Sequence, residues 1–373
     1  MKKVYLDNAS TTQIRPEVVQ EITKIMSENF GNPSSSHSFG RTAKNLLELS
    51  RKSIAKNLNC SAQEIIFTSG GTEANNYIIR SAVRDLNLKR IITSKIEHHA
   101  VLHAVELAHT QNEIDVHFVN IKPNGEIDLN HLVELLSQNI PTLVSLMHVN
   151  NEIGTVLDLQ RVGTICKEHG AFFHSDTIQS IGKTKFDLQL LPIDFLVAAA
   201  HKFHGPKGVG FAFIKKGINL KPIIVGGEQE KGQRAGTESL HNIAGMGKAL
   251  EISSLNLDAE QQFISALKND CITKLQSSIP GVKVVGDNTF YNIINVVLPF
   301  DNDKANLILF NLDMKGIAVS RGSACQSGSS KTSHVLNEIL SDEMLSNPNI
   351  RISFSHYNTI DDIDYLISVL KEI

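Results

Sequence analysis

Asp194-Phe-Leu-Val-Ala-Ala-Ala-His-Lys-Phe-His-Gly-Pro-Lys-Gly-Val-Gly-Phe211 is the stretch on which the reading of the chain turns. An apolar run over 195–200 stops at His201 and Lys202, the chain turns on Gly205, Pro206 and Gly208, and a second apolar run occupies 209–214. Short apolar runs bounded by turn residues are the pattern of buried strands. The arrangement puts a lysine at the end of one of them, where desolvation favours the free amine and makes it a nucleophile toward an aldehyde. A surface lysine in a strand-loop-strand connection has the same local pattern, so the neighbouring stretches decide.

Upstream, two amphipathic helices are expected over 16–28, opened by Pro16, and over 41–58, with loop chemistry between them. Strands then alternate with helices. Strands are predicted at 64–68, 90–93, 116–121, 142–149, 171–174 and 195–200, and helices at 73–83, from His98 to about His109, and at 159–169. That alternation implies an α/β architecture, a mostly parallel sheet covered on both faces. Such sheets bind ligands beyond the carboxyl ends of their strands. The residues there are Gly71 and Thr72, His98, Asn151, Asp176 with Gln179, and His201 with Lys202. Each alone has a plain explanation as a cap, a turn or a loop residue. Strand ends that all carry groups able to bind or catalyse point to one site.

After about residue 256 the alternation stops. A long amphipathic helix through Phe263, Leu267, Cys271 and Leu275 leads to strands at 282–285 and 293–297, a helix at 304–315 and a strand at 317–320. A Gly- and Ser-rich loop over 321–333 precedes a helix at 335–345, a strand at 350–355 and a last helix opened by Thr359 and Asp362 in capping-box spacing. This reads as a smaller α+β domain of residues 1–14 and 256–373, beside a large domain of 15–255.

A chain of 373 residues, 41% hydrophobic and 20% charged, can build both cores. A formal net charge of -3 without blocks of like charge offers no footprint for nucleic acid or an acidic membrane surface. The polar start and the absence of a long apolar run predict a cytoplasmic protein. Cys60, Cys166, Cys271 and Cys325 show no metal-ligand spacing, so no structural metal is expected. The first three lie in apolar patterns as small buried hydrophobes. Cys325 sits in the Gly/Ser-rich loop, where a bare thiol is a liability unless it is used.

The strand-end set matches the needs of pyridoxal phosphate: a lysine for the aldehyde, a carboxylate for the pyridine nitrogen, and backbone N–H groups at a helix N-terminus for the phosphate. Lys202, Asp176 and Gly71-Thr72 supply them, and His98 could stack on the ring and exchange protons.

Here the chain resembles the class V aminotransferase group, and within it the cysteine desulfurases of the NifS/IscS type. The resemblance runs through Tyr5-Leu-Asp-Asn-Ala-Ser-Thr-Thr12, Thr68-Ser-Gly-Gly-Thr-Glu-Ala-Asn-Asn76, Glu97-His-His-Ala-Val101, Met147-His-Val-Asn-Asn-Glu-Ile-Gly154 and His174-Ser-Asp-Thr-Ile-Gln179. It continues through His201-Lys-Phe-His-Gly-Pro-Lys-Gly208, Arg234-Ala-Gly-Thr237, Gly322-Ser-Ala-Cys325 and Ile350-Arg-Ile-Ser353. The step from Asp176 to Lys202 and that from Cys325 to Arg351 are both 26 residues.

The resemblance implies a type I fold of the pyridoxal phosphate enzymes. It makes Lys202 the covalent anchor of the cofactor, with Asp176 on the pyridine nitrogen, Gln179 on the ring oxygen and His98 on the ring face. Gly71, Thr72 and His201 would hold the phosphate, joined by Thr237 from the other subunit of a homodimer. Asn151 and Arg351 would grip the substrate carboxylate, and Cys325 would take the sulfur of L-cysteine as a persulfide for an acceptor protein in iron-sulfur or thio-cofactor supply. Two departures stand out: Ala199 replaces a usual serine at the phosphate, and the chain stops at Ile373 without the extended tail of some relatives. A selenocysteine lyase or another β-eliminating lyase on the same scaffold is the alternative within enzymes, and a catalytically silent binding subunit is the alternative outside them.

Overall fold

The computed structural model describes residues 2–300, 307–321 and 333–372. In chain order its elements are β1 (Val4–Tyr5), α1 (Pro16–Glu28), α2 (Ser38–Asn57), β2 (Ile65–Thr68), α3 (Gly71–Asp85), β3 (Arg90–Thr93), α4 (His99–Asn112), β4 (Asp115–Phe118), α5 (Leu129–Leu136) and β5 (Thr142–Ser145). They continue with α6 (Leu159–Glu168), β6 (Phe172–Asp176), β7 (Phe195–Ala199), β8 (Gly210–Ile214), α7 (Leu240–Leu255), α8 (Leu257–Ser278), β9 (Lys283–Val285) and β10 (Ile293–Val297). The last are α9 (Ile308–Met314), β11 (Ile317–Ala318), α10 (His334–Asn337), α11 (Asp342–Ser346), β12 (Asn349–Ser353) and α12 (Ile360–Glu372).

Seven strands form one sheet in the order β2-β8-β7-β6-β5-β3-β4. Its interior ladders are parallel, and only β8 runs against its neighbours, because the turn after Lys202 folds the chain straight back beside β7. Alternate residues feed opposite faces: Phe67, Leu196 and Phe213 join one core with α1, α2, α6 and α7, whereas Ile66, Phe195 and Ala212 join the other with α3 and α4. A third core gathers Val4 and Leu6 with Leu267, Cys271 and Leu275 of α8, Ile294 of β10, Ile352 of β12 and Leu366 of α12. There β12-β10-β9 is antiparallel, and β1 pairs with β11 through Val4↔Ile317.

The structure departs from the sequence expectations in ways that have local causes. The ladder of β5 ends at Ser145, yet Leu146 and His148 still donate to the carbonyls of His174 and Asp176 (3.1 and 3.0 Å), so the chain stays extended until it delivers Asn151 above the sheet. The single helix expected at 335–345 is two short ones, because Ser333 caps the first and Ser341 the second. Helix α3 starts at Gly71, two residues early. No described helix is long and apolar enough to cross a membrane.

Candidate active site

Strand β7 ends at Ala199 and a single 3-10 turn, Ala200–Lys202, lifts Lys202 off the sheet. The side chain is half-buried, and its Nζ donates to the carbonyls of Ala9 (2.6 Å) and Ser10 (2.8 Å), so the first residues of the chain form the floor beneath the amine. On the adjacent strand β6, Asp176 is the last residue. One carboxylate oxygen accepts from Nδ2 of fully buried Asn75 (2.8 Å) and the other from the amide of Ile178 (3.0 Å), which fixes the plane of the carboxylate.

The N-terminus of α3 faces the same space. Gly70, at φ +154°, turns the chain out of β2, and at Gly71 an added Cβ would lie 2.0 Å from Cδ1 of Ile178, so a side chain there meets the lining of the site. The free amides of that first turn point to a position suited to an anion. His98 caps α4, its Nδ1 accepting from the amide of Ala100 (3.1 Å); the neutral ring therefore carries its proton on Nε2. Burial is the main cause holding the His98 pKa below the usual histidine range, against the smaller opposite pull of Asp176. His201, with Nδ1 3.2 Å from Oγ1 of Thr11, is pushed down to about 3 by burial and then by Lys202, and it too is neutral.

Arg351 is buried on β12. It donates to the carbonyl of Asn151 (2.7 Å), to Oδ1 of Asp7 (2.8 Å) and to Oγ of Ser10 (2.6 Å), while its Nε, also buried, has no hydrogen-bond partner. Gln179 donates to the carbonyl of Ala9 (2.8 Å) and leaves a buried Oε1 unpartnered. Gly71, Thr72, His98, Asn151, Asp176, Gln179, His201, Lys202 and Arg351 all line one cavity of about 230 Å³, with Ala199 and the unforeseen Ala9, Ser10, Met147 and Ile178.

One described sequence candidate lies elsewhere. Thr237 is exposed and lines a separate surface hollow with Met26, Phe30, Pro33 and His241, and Cys325 falls outside the described residues. Burial pushes the thiols of Cys60 and Cys271 up to about 12 and that of Cys166 higher still, so none of these is a ready nucleophile. Sequence reasoning passed over Asn75 although it stands in the quoted run 68–76. It also passed over Lys183, whose buried Nζ has no hydrogen-bond partner and whose pKa is lowered to about 7, first by burial and then by Lys202 and Arg351. Nothing in its local sequence marks Lys183. Among the described residues no cluster of acidic, histidine and cysteine side chains could hold a metal ion.

The family model for class-V aminotransferases matches residues 4–366. The chain is 40% identical over 376 residues to a protein of Dictyoglomus turgidum named cysteine desulfurase IscS, a match that covers 100% of this chain and 94% of that one. Among solved structures, a NifS-like protein superimposes with a TM-score of 0.91 at 33% identity, covering 100% of this chain and 99% of its own. A structure titled SspA in complex with cysteine superimposes with a TM-score of 0.82 at 31% identity, covering 96% of this chain and 100% of its own. With the fold, the lysine and the aligned carboxylate already in place, these matches establish that the chain belongs to the class-V aminotransferase family of pyridoxal phosphate enzymes.

Proposed function

We propose that the protein is a cysteine desulfurase that converts L-cysteine to L-alanine and leaves the sulfur as a persulfide on Cys325 for a protein acceptor. The observation that carries the reading is the convergence of nine strand-end and neighbouring residues on one cavity, in a chain whose full length matches proteins named cysteine desulfurase. The cavity suits the cofactor. An amine, a carboxylate fixed by two donors, a helix N-terminus at a glycine where an added Cβ would meet Ile178, and an unpartnered amide oxygen on Gln179 together fit a phosphorylated pyridine bearing an aldehyde.

When bound, pyridoxal phosphate supplies the electron sink that lets the substrate give up its Cα proton and its Cβ–S bond. In our reading Lys202 anchors the cofactor and, once released from it, carries the Cα proton. Asp176 keeps a proton on the ring nitrogen, and Gln179 fixes the ring oxygen. His98 would take the ring face of the bound cofactor, with its Nε2–H available to the substrate. Gly71, Thr72 and His201 receive the phosphate, with Thr237 arriving from a second copy of the chain. Arg351 and Asn151 bind the substrate carboxylate. The thiolate of Cys325 then attacks the substrate sulfur: a sulfur-sulfur bond forms, the Cβ–S bond breaks with its electron pair left on Cβ, and a proton completes the methyl group of alanine. Residues 15–255 would hold the cofactor, while 1–14 and 256–373 carry the sulfur-accepting loop and Arg351.

The test is incubation of the purified protein with L-cysteine, following alanine and protein-bound persulfide for the parent and for Cys325→Ser. A hydroxyl is a poor nucleophile toward sulfur, so the variant is expected to form less than about a hundredth of the parent's alanine while still binding substrate. Near-normal alanine from Cys325→Ser would replace the desulfurase with a lyase that eliminates the β-substituent directly.

A further inference from the structure

Glu73 stands in the first turn of α3, next to Gly71 and Thr72, where the reading above places a phosphate. A carboxylate favours a helix N-terminus, and so does a phosphate dianion; side by side they repel. The structure holds a third charge at that point. Arg234 approaches from the loop after β8 and donates from Nε to one Glu73 oxygen (2.8 Å) and from an Nη to the other (3.2 Å), a two-point pair with Glu73 mostly shielded from water. The amide of Ser69 donates to the same carboxylate (2.8 Å).

The segment that carries Arg234 is fixed independently. Glu230, buried, accepts from both terminal nitrogens of Arg51 (2.6 and 2.8 Å) and from the amide of Phe67 on β2 (2.9 Å). Glu230 and Lys231 both adopt positive φ (47° and 58°), a conformation that ordinary side chains rarely take and that persists where the surroundings enforce it. The loop thus reaches the protein body through two ion pairs of opposite sense, its own carboxylate on Arg51 and its own guanidinium on Glu73. The first is an anchor for the loop that does not involve Arg234.

We propose that Arg234 is a positioning residue for cofactor retention, which neutralises Glu73 so that the N-terminus of α3 can receive a phosphate dianion beside a carboxylate. This rests on the placement of the phosphate at Gly71 and Thr72. The same pair viewed as a plain crosslink makes a different forecast, because either partner's removal would then do equal harm.

The experiment measures the dissociation constant of pyridoxal phosphate from the visible absorption band of holoenzyme on dilution, for the parent, Arg234→Gln, Glu73→Gln and the double variant, with apoprotein melting as the folding control. Arg234→Gln is expected to weaken retention roughly tenfold, about 1.4 kcal/mol, because it exposes the phosphate to an uncompensated charge. Glu73→Gln is expected to retain the cofactor at least as well as the parent, and the double variant to return to within about twofold of it. The defect of Arg234→Gln should also shrink as salt is raised, since the repulsion is screened. Weaker retention in Glu73→Gln, or a double variant no better than Arg234→Gln, would overturn the proposal. If Arg234→Gln does not fold, Glu73→Gln alone decides by the same criterion. A parent that takes up no pyridoxal phosphate would instead remove the site reading on which the proposal stands.

Discussion

Asn75 supplies the hydrogen that orients one oxygen of Asp176, yet it lies 101 residues away in sequence. Its side chain is fully buried and its own Oδ1 has no partner, so the amide is held there for the bond it gives. Replacement by alanine leaves a buried carboxylate with one donor fewer, a loss of about 1.5–3 kcal/mol for a bond to a charged group. Asn75→Ala is therefore expected to lower kcat/KM by between roughly tenfold and a hundredfold. Asn75→Asp should do worse, because it sets a second carboxylate against the first. Steady-state kinetics with L-cysteine on both variants checks the order, and an unchanged Asn75→Ala would leave the orientation of Asp176 to Ile178 alone. The sequence could not announce this pair: an asparagine inside a helix reads as neutral, and its partner is named only by the fold. The same holds for Ala9 and Ser10, which act through carbonyl oxygens that every residue possesses.

Among the elements, β8 constrains the site through close backbone packing. Gly210 opens it against β7, and an added Cβ there would lie 2.3 Å from the carbonyl of Ala198 and 2.9 Å from Cα of Gly70. Both obstacles are backbone, so neither can swing aside. Gly210→Ala should cost about 1–3 kcal/mol of stability and disturb Gly70 at the mouth of α3. A lowered melting temperature together with weakened cofactor binding is the expected result, and a variant as stable as the parent would show that β8 has slack. The apolar strand runs and helix periodicities were legible because burial on both sheet faces imposes them. Helices α5 and α7 were not. Helix α7 is buried along much of its circumference, at Leu240, Ile243, Ala244, Met246 and Leu250, so its apolar pattern has no single face to betray it. Its Gly245 abuts Ile22, where an added Cβ would lie 2.7 Å from that side chain, and a glycine in mid-helix reads as a break until its neighbour is known.

Taken as a whole, the molecule holds several imidazoles neutral. Burial is the leading cause that lowers His99, His148 and His356 to about 4, and His174, His201 and His204 to about 3. Each folded value lies below the ordinary 6.5, so the unfolded chain binds these protons first. The stability they allow is full above about pH 6.5 and is lost as the pH falls toward about 4. Glu97 works the other way: burial lifts it to about 8, so the stability from its proton is full below the ordinary carboxylate value and is lost as pH rises toward 8. The histidines outnumber it, and the urea midpoint is expected to drop steeply between pH 6.5 and 5. His174→Gln should reduce that slope by about one proton, or about 1.4 kcal/mol per pH unit. Equal slopes for parent and variant would mean that His174 does not stay neutral in the fold.

The first fifteen residues are tied to elements far along the chain: Val4 pairs with Ile317, Asp7 meets Arg351, Ala9 and Ser10 underlie Lys202, and Arg15 pairs with Glu260. This early segment thus waits for residues more than three hundred positions later before it can settle. Until β11 and β12 have been synthesised, the amine of Lys202 lacks the arrangement around its floor that defines the site, although the seven-stranded sheet behind it can already close. The scaffold can therefore form before the reactive centre, which is complete only once β12 is in place.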